Sequence, residues 1–205
     1  MRGMIAPATM FILAGIQVEG GLAVLAIVIA WFTHIPLRNM MRLELLPLVV
    51  AFVGIIPLLV FCKGIYMLPF RSVEFTRRFL RAFYHDFIRY CSVTQLLLVA
   101  IMSGIGEELL FRGVLQTSIT QGFGGETRGL VIGIFLTSLL FGLVHPINIL
   151  YVVVCFIIGI YLGLIFVLSG NNLVVPIIVH AFYNFILFLT LPQMVGFSHK
   201  KTVGS

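Results

Sequence analysis

The chain has 205 residues, 60% of them hydrophobic and 10% charged, with a mean hydropathy of +1.16. Soluble domains average about 45–50% apolar and about 25% charged residues, so this composition excludes a soluble globular protein and predicts an all-α, polytopic transmembrane helix bundle. The net charge of +6 does not point to nucleic acid, because nearly all of it falls between apolar runs, where Lys and Arg set topology and meet anionic lipid.

A spanning helix needs about 20 largely apolar residues. On that ruler the first span covers 8–32, with Trp31 and Phe32 as interfacial anchors and Pro36 beyond. It has only Arg2 ahead of it and no convincing cleavage site, so it reads as a retained span and not as a removed signal peptide. Glu19 lies within it, either as a bundle-facing acid or as a contributor to a functional cavity. The second span covers 43–62, with Pro47, Gly54 and Pro57 predicting a bent rod.

Residues 63–91 change character. Arg71, Arg77, Arg78, Arg81 and Arg89 alternate with Phe75, Phe79, Phe83 and Phe87, the pattern of a basic amphipathic helix lying in the membrane surface. An alternative is an element that gates substrate over a cavity. The third span, 93–119, contains Glu107, Glu108 and Arg112. The loop Gln121–Gly125 follows, and its glycines lack the spacing and strand-to-helix context of a phosphate-binding turn. The remaining spans cover 129–145, 148–168 and 173–191. Gly159 and Gly163, four apart, permit close helix packing in the fifth.

About six spans thus form one membrane-embedded domain over 1–205, with a motif-bearing core at about 93–191. Six spans put both termini on one side. The side holding Arg2, residues 63–91 and the tail Lys200 and Lys201 carries nine Lys or Arg, against Arg38, Arg42 and Arg128 opposite. The positive-inside rule therefore places both termini in the cytoplasm. Cys62, Cys91 and Cys155 show no paired spacing and read as small core or lipid-facing residues.

Ionisable side chains inside a membrane are costly and mark functional sites. Glu108 and Arg112 are four apart and share a helix face, in the favourable acid-first order. Glu107 lies about 100° round the helix and is left unpaired, suited to act as a general base. Phe141 shares a face with His145, and His180 with Asn184. Two hydrolytic schemes fit these residues. In one, Glu107 activates water with His145, while His180 and Asn184 form an oxyanion hole. In the other, Glu107, His145 and His180 hold a divalent metal such as zinc that acidifies the water. No H-E-x-x-H is present. Ser103 is set aside as a nucleophile, since Met-Ser-Gly-Ile-Gly is not a nucleophile elbow and no base is evident one turn away.

Glu107-Glu108-x-x-x-Arg112, Phe141-x-x-x-His145 and His180-x-x-x-Asn184, in this order on three separate spans, resemble the signatures of the CAAX protease and bacteriocin-processing family (CPBP, also called Abi) of intramembrane proteases. The resemblance covers about 93–190, and every motif position is intact. It implies hydrolysis of a peptide or membrane-protein substrate within the lipid bilayer, here a bacterial plasma membrane. It further implies that Glu107 and His145 work on the catalytic water, that His180 and Asn184 stabilise the oxyanion, and that Glu108 and Arg112 give support. Two other classes use the same residues differently: a non-catalytic immunity or scaffold protein, and a proton-coupled transporter. The transporter lacks its usual paired broken helices and repeat symmetry here.

One geometric condition must hold. His145 lies about 25 Å along its helix and His180 about 10 Å along its own, both measured from the same membrane side at about 1.5 Å per residue. A shared site therefore needs tilted helices or a Ser169–Asn172 loop that dips into the bundle; the dip is the expectation, with the two histidines within about 12 Å, roughly the rise of eight residues.

Overall fold

The computed structural model describes residues 2–194, and among these every regular element is helical. The predicted tail charges Lys200 and Lys201 lie outside the described residues. Seven helices follow in order: α1 Arg2–Thr33, α2 Leu45–Met67, α3 Arg71–Asp86, α4 Val93–Gly122, α5 Thr127–Leu143, α6 Ile149–Leu168 and α7 Val174–Met194. Five are long and apolar enough to cross a membrane, namely Pro7–Thr33 within α1, then α2, α4, α6 and Val174–Leu191 within α7. The expected span at 129–145 forms as α5, which is apolar but only 17 residues long. The protein is an integral membrane helical bundle.

Local chemistry sets the boundaries. α4 starts at a capping box: Ser92 Oγ accepts from Gln95 N at 3.3 Å while Ser92 N donates to Gln95 Oε1 at 2.8 Å. Asn148 caps α6, its Oδ1 accepting from Tyr151 N at 2.9 Å. The turn into α5 uses Gly124 and Gly125 at φ 98° and 71°, the left-handed region where glycine carries no steric cost. α2 runs five residues past its expected end, so the amphipathic segment is confined to α3 and a short 3₁₀ turn at Ile88–Tyr90.

α4 is the central rod, and its Gly104-Ile105-Gly106 step lets two neighbours approach from opposite sides. A Cβ at Gly104 would sit 2.8 Å from the Ile177 carbonyl of α7, and one at Gly106 would collide with the Glu19 carbonyl of α1. Small residues at such crossings let apolar helices pack closely without a hydrophobic driving force. Gly106→Ala is expected to lower stability by about 1–3 kcal/mol through overpacking. Thermal unfolding of the purified protein in detergent measures it, and an unchanged midpoint would count against this crossing. Gly159 and Gly163 serve α6 likewise, packing on Ser138 of α5 and on Gln116 of α4.

α4 is not uniformly α-helical. Leu109–Gln116 is wound as a π-helix, and the Thr117 hydroxyl donates to the carbonyl of Arg112, five residues back, at 3.1 Å. Such wide turns concentrate at functional sites.

The chain descends at the loop before α7. Gly170 and Asn171 are exposed, whereas Asn172 and Leu173 are fully buried. Asn172 Nδ2 donates to the Arg42 carbonyl at 2.8 Å, its Oδ1 accepts from Arg42 N at 3.2 Å, and Leu173 N donates to the Met40 carbonyl at 2.8 Å. Leu173 then packs beside Gly113, well before the end of α4 at Gly122. α7 therefore starts inside the bundle, the dip expected from the sequence.

Candidate active site

Three helices bring the motif residues together. Glu107, Glu108 and Arg112 come from the middle of α4, His180 and Asn184 from α7, and His145 from the turn after α5. Phe141 is the hub. Its ring centroid lies 4.9 Å from that of His145 and 6.0 Å from that of His180, and the Arg112 guanidinium stands 4.8 Å over its face. The two imidazoles thus lie closer together than the sum of their distances to Phe141, inside the 12 Å limit.

Glu108 anchors one half of the site. It is fully buried and forms an ion pair with Arg112 Nε at 3.1 Å, while its Oε1 meets His180 Nδ1 at 2.8 Å. Arg112 is equally buried and donates through Nη2 to the Gly159 carbonyl at 3.0 Å. A carboxylate facing a guanidinium is ionised and can only accept, so His180 Nδ1 is the donor. The spacing of the sequence assigns Glu108 to Arg112 alone. The structure adds His180, and so one carboxylate fixes both a guanidinium and an imidazole.

Glu107 faces the other way. Its Oε1 accepts from the Ser103 hydroxyl at 3.3 Å, and that hydroxyl accepts from Asn184 Nδ2 at 3.2 Å. Here the structure corrects the expectation from sequence: Ser103 does have a carboxylate one turn away, and that carboxylate is Glu107. Glu107 Oε2 is buried without a hydrogen-bond partner and lies 3.9 Å from His145 Nε2. His145 Nδ1 sits 2.7 Å from the Phe141 carbonyl, which only accepts, so Nδ1 carries the proton. In the neutral ring Nε2 is then a bare acceptor. Two acceptors face each other across a gap too wide for a direct hydrogen bond.

Above this floor lies an apolar cavity of about 350 Å³. α3 supplies one wall with Val73, Thr76, Phe79, Leu80 and Phe83. The predicted surface helix is therefore also part of the cavity. It is tied down by Asn148 Nδ2, which donates to Thr76 Oγ1 at 2.8 Å, and by Arg77, which donates to the carbonyls of Tyr66 and Leu68. A second opening, bounded by Phe75, Phe79, Val144 and Pro146, reaches His145 from outside. Glu19 does not line the cavity. Its carboxylate is buried at the α1–α4 crossing, near enough to Glu107 and His180 to interact with their charges.

The metal set that the sequence allows is not assembled. Among the described residues no three His, Cys, Asp or Glu side chains converge on a point where an ion can sit. His180 Nδ1 is held by Glu108 and His145 Nδ1 by a carbonyl, which leaves Nε2 as the free nitrogen of each ring.

Residues 90–186 match the family described as Rce1-like, type II CAAX prenyl endopeptidase. Over this segment, just under half of the chain, the sequence is similar to CAAX proteases of the CPBP family. The matched segment spans all of α4, α5 and α6 and the part of α7 that carries His180 and Asn184; α1, α2 and α3 lie outside it. No curated protein and no solved structure matches the chain.

Proposed function

We propose that this protein is an intramembrane endopeptidase in which Glu107 is the general base for a water molecule, acting on a membrane-associated peptide. The observation that carries the reading is the facing pair of acceptors, Glu107 Oε2 and His145 Nε2, 3.9 Å apart on the floor of an apolar cavity. With the imidazole neutral, a molecule with two protons satisfies both. A water that donates one hydrogen to each presents its lone pair to the cavity, where a peptide carbonyl can meet it.

The reaction then follows from the residues present. Glu107 takes a proton as the water oxygen bonds to the carbonyl carbon. The oxyanion that develops is met by Asn184 and His180. Asn184 retains one amide hydrogen after donating to Ser103. His180, with Nδ1–H committed to Glu108, offers a second donor through Nε2 when it is an imidazolium. Protonated Glu107 next passes its proton to the leaving nitrogen as the carbon–nitrogen bond breaks. Both the entering proton and the leaving one are held by one carboxylate, so no metal is needed in these steps. Both termini lie in the cytoplasm in this reading, as the loop charges indicate.

The test uses the purified protein in liposomes with a farnesylated, internally quenched peptide ending in a CAAX sequence, the substrate class that the matched family's description supplies. In parallel, peptides are identified that accumulate in membranes of cells carrying an inactive form. Cleavage of the probe, or products missing from those membranes, is the expected result. If neither assay yields cleavage that depends on Glu107, the reading is overturned.

A further inference from the structure

We infer that Ser103 is a positioning residue that locks the two halves of the site together, fixing which oxygen of Glu107 meets water and which way the Asn184 amide points. The inference deepens the endopeptidase reading and rests on it. A serine hydroxyl has a single proton and two lone pairs. Asn184 Nδ2 can only donate, so at 3.2 Å the Ser103 oxygen is its acceptor. The hydroxyl proton is thereby committed to the other neighbour, Glu107 Oε1, at 3.3 Å. The result is a one-way relay of hydrogen bonds from Asn184 through Ser103 to Glu107.

This relay has two effects. It occupies Oε1 of the carboxylate and leaves Oε2, the buried atom with no partner, as the one that faces His145. It also turns the amide of Asn184 so that nitrogen, not oxygen, faces Ser103. With Asn184 held that way, its remaining N–H is available to the cavity that Asn184 and Ser103 both line. Without the hydroxyl, the carboxylate can rotate so that either oxygen meets water, and the amide can invert and present its carbonyl to a developing oxyanion. Both errors act on the transition state and leave the apolar walls that hold the substrate unchanged. Ser103 is 8% exposed, so solvent does not substitute for it. The glycine that follows, Gly104, brings α7 close enough for the contact, since a Cβ there would sit 3.0 Å from Ala181 Cβ.

The experiment compares wild type, Ser103→Ala, Ser103→Thr, Asn184→Ala and the Ser103→Ala/Asn184→Ala double variant on the quenched farnesyl-CAAX peptide in liposomes. Misplacement of this kind costs on the order of 10- to 100-fold. Ser103→Ala is expected to lose that factor in kcat with KM within about twofold, a split that marks an interaction made in the transition state. Ser103→Thr restores the hydroxyl and is expected to recover most of the rate. The double variant is expected to lose less than the product of the two single losses, because the two side chains share one hydrogen-bond relay. Thermal unfolding of each variant identifies any that fail to fold, and Ser103→Thr covers that case for position 103. Full kcat in Ser103→Ala, no rescue by threonine, or losses that multiply in the double variant would each overturn the inference. Glu107→Gln runs beside them. If it is dead while Ser103→Ala is fully active, only the role of Ser103 fails. If wild-type cleavage does not depend on Glu107, the endopeptidase reading fails and this inference goes with it.

Discussion

Glu107→Gln is expected to lower kcat by about 10³-fold, within the range of about 10²–10⁴ attributed to a positioned general base, while the protein accumulates and unfolds as wild type does. Glutamine has the same shape, and its amide oxygen can still accept from Ser103, so the contact at 3.3 Å survives. Its nitrogen then faces His145 Nε2 and can donate to it, which closes the 3.9 Å gap between the two acceptors without any water. Both the proton acceptor and the reason for a bound water disappear together. Turnover near the wild-type rate would remove Glu107 from the mechanism. Stability is not expected to fall, because Glu107 Oε2 has no hydrogen-bond partner to lose.

Replacing the neighbouring pair has the opposite signature. Arg112→Met is expected to cost about 3–5 kcal/mol, the penalty of stripping one partner from a buried ion pair. Glu108 would remain fully buried, held by His180 at 2.8 Å but with its guanidinium gone. The loss is read as a lowered unfolding midpoint in detergent and reduced accumulation in the membrane. Adding Glu108→Gln removes the stranded charge, so the double variant is expected to recover part of the stability. Its activity should stay low, since His180 loses its charged anchor. A single Arg112→Met variant as stable as wild type would show that the guanidinium is not holding the site together.

Both expected results depend on contacts that the sequence reveals unequally. The spans are legible because apolar runs of this length have few uses other than crossing a membrane. The motif residues are legible for the complementary reason: Glu107, Glu108, Arg112, His145 and His180 are expensive where they stand. Relations between helices are not legible. Glu108 and His180 are 72 positions apart, and helical spacing describes only neighbours on one helix, so it assigns Glu108 to Arg112 alone. Ser103 carries its signal in plain sight, four residues before Glu107, but a serine near a carboxylate suggests a nucleophile before it suggests a donor to the base. The π-helical stretch has no composition of its own, and a continuous α-helix is the natural expectation for 93–119. The division of α3 into an arginine-bearing outer face and a phenylalanine-lined cavity wall is visible as a period, yet what the apolar face covers depends on the turn after α5.

That turn has a consequence for supply. α5 has 17 residues, about 25 Å at 1.5 Å per residue, whereas the hydrocarbon core of a bilayer is about 30 Å thick. Lipid beside a short helix thins, or polar groups reach in to meet it. His145 stands two residues beyond the end of α5. The proposed reaction must draw one water per turnover from a medium that excludes it. A helix that stops short on the His145 side would shorten that journey beside the imidazole that receives the water in the proposed reaction.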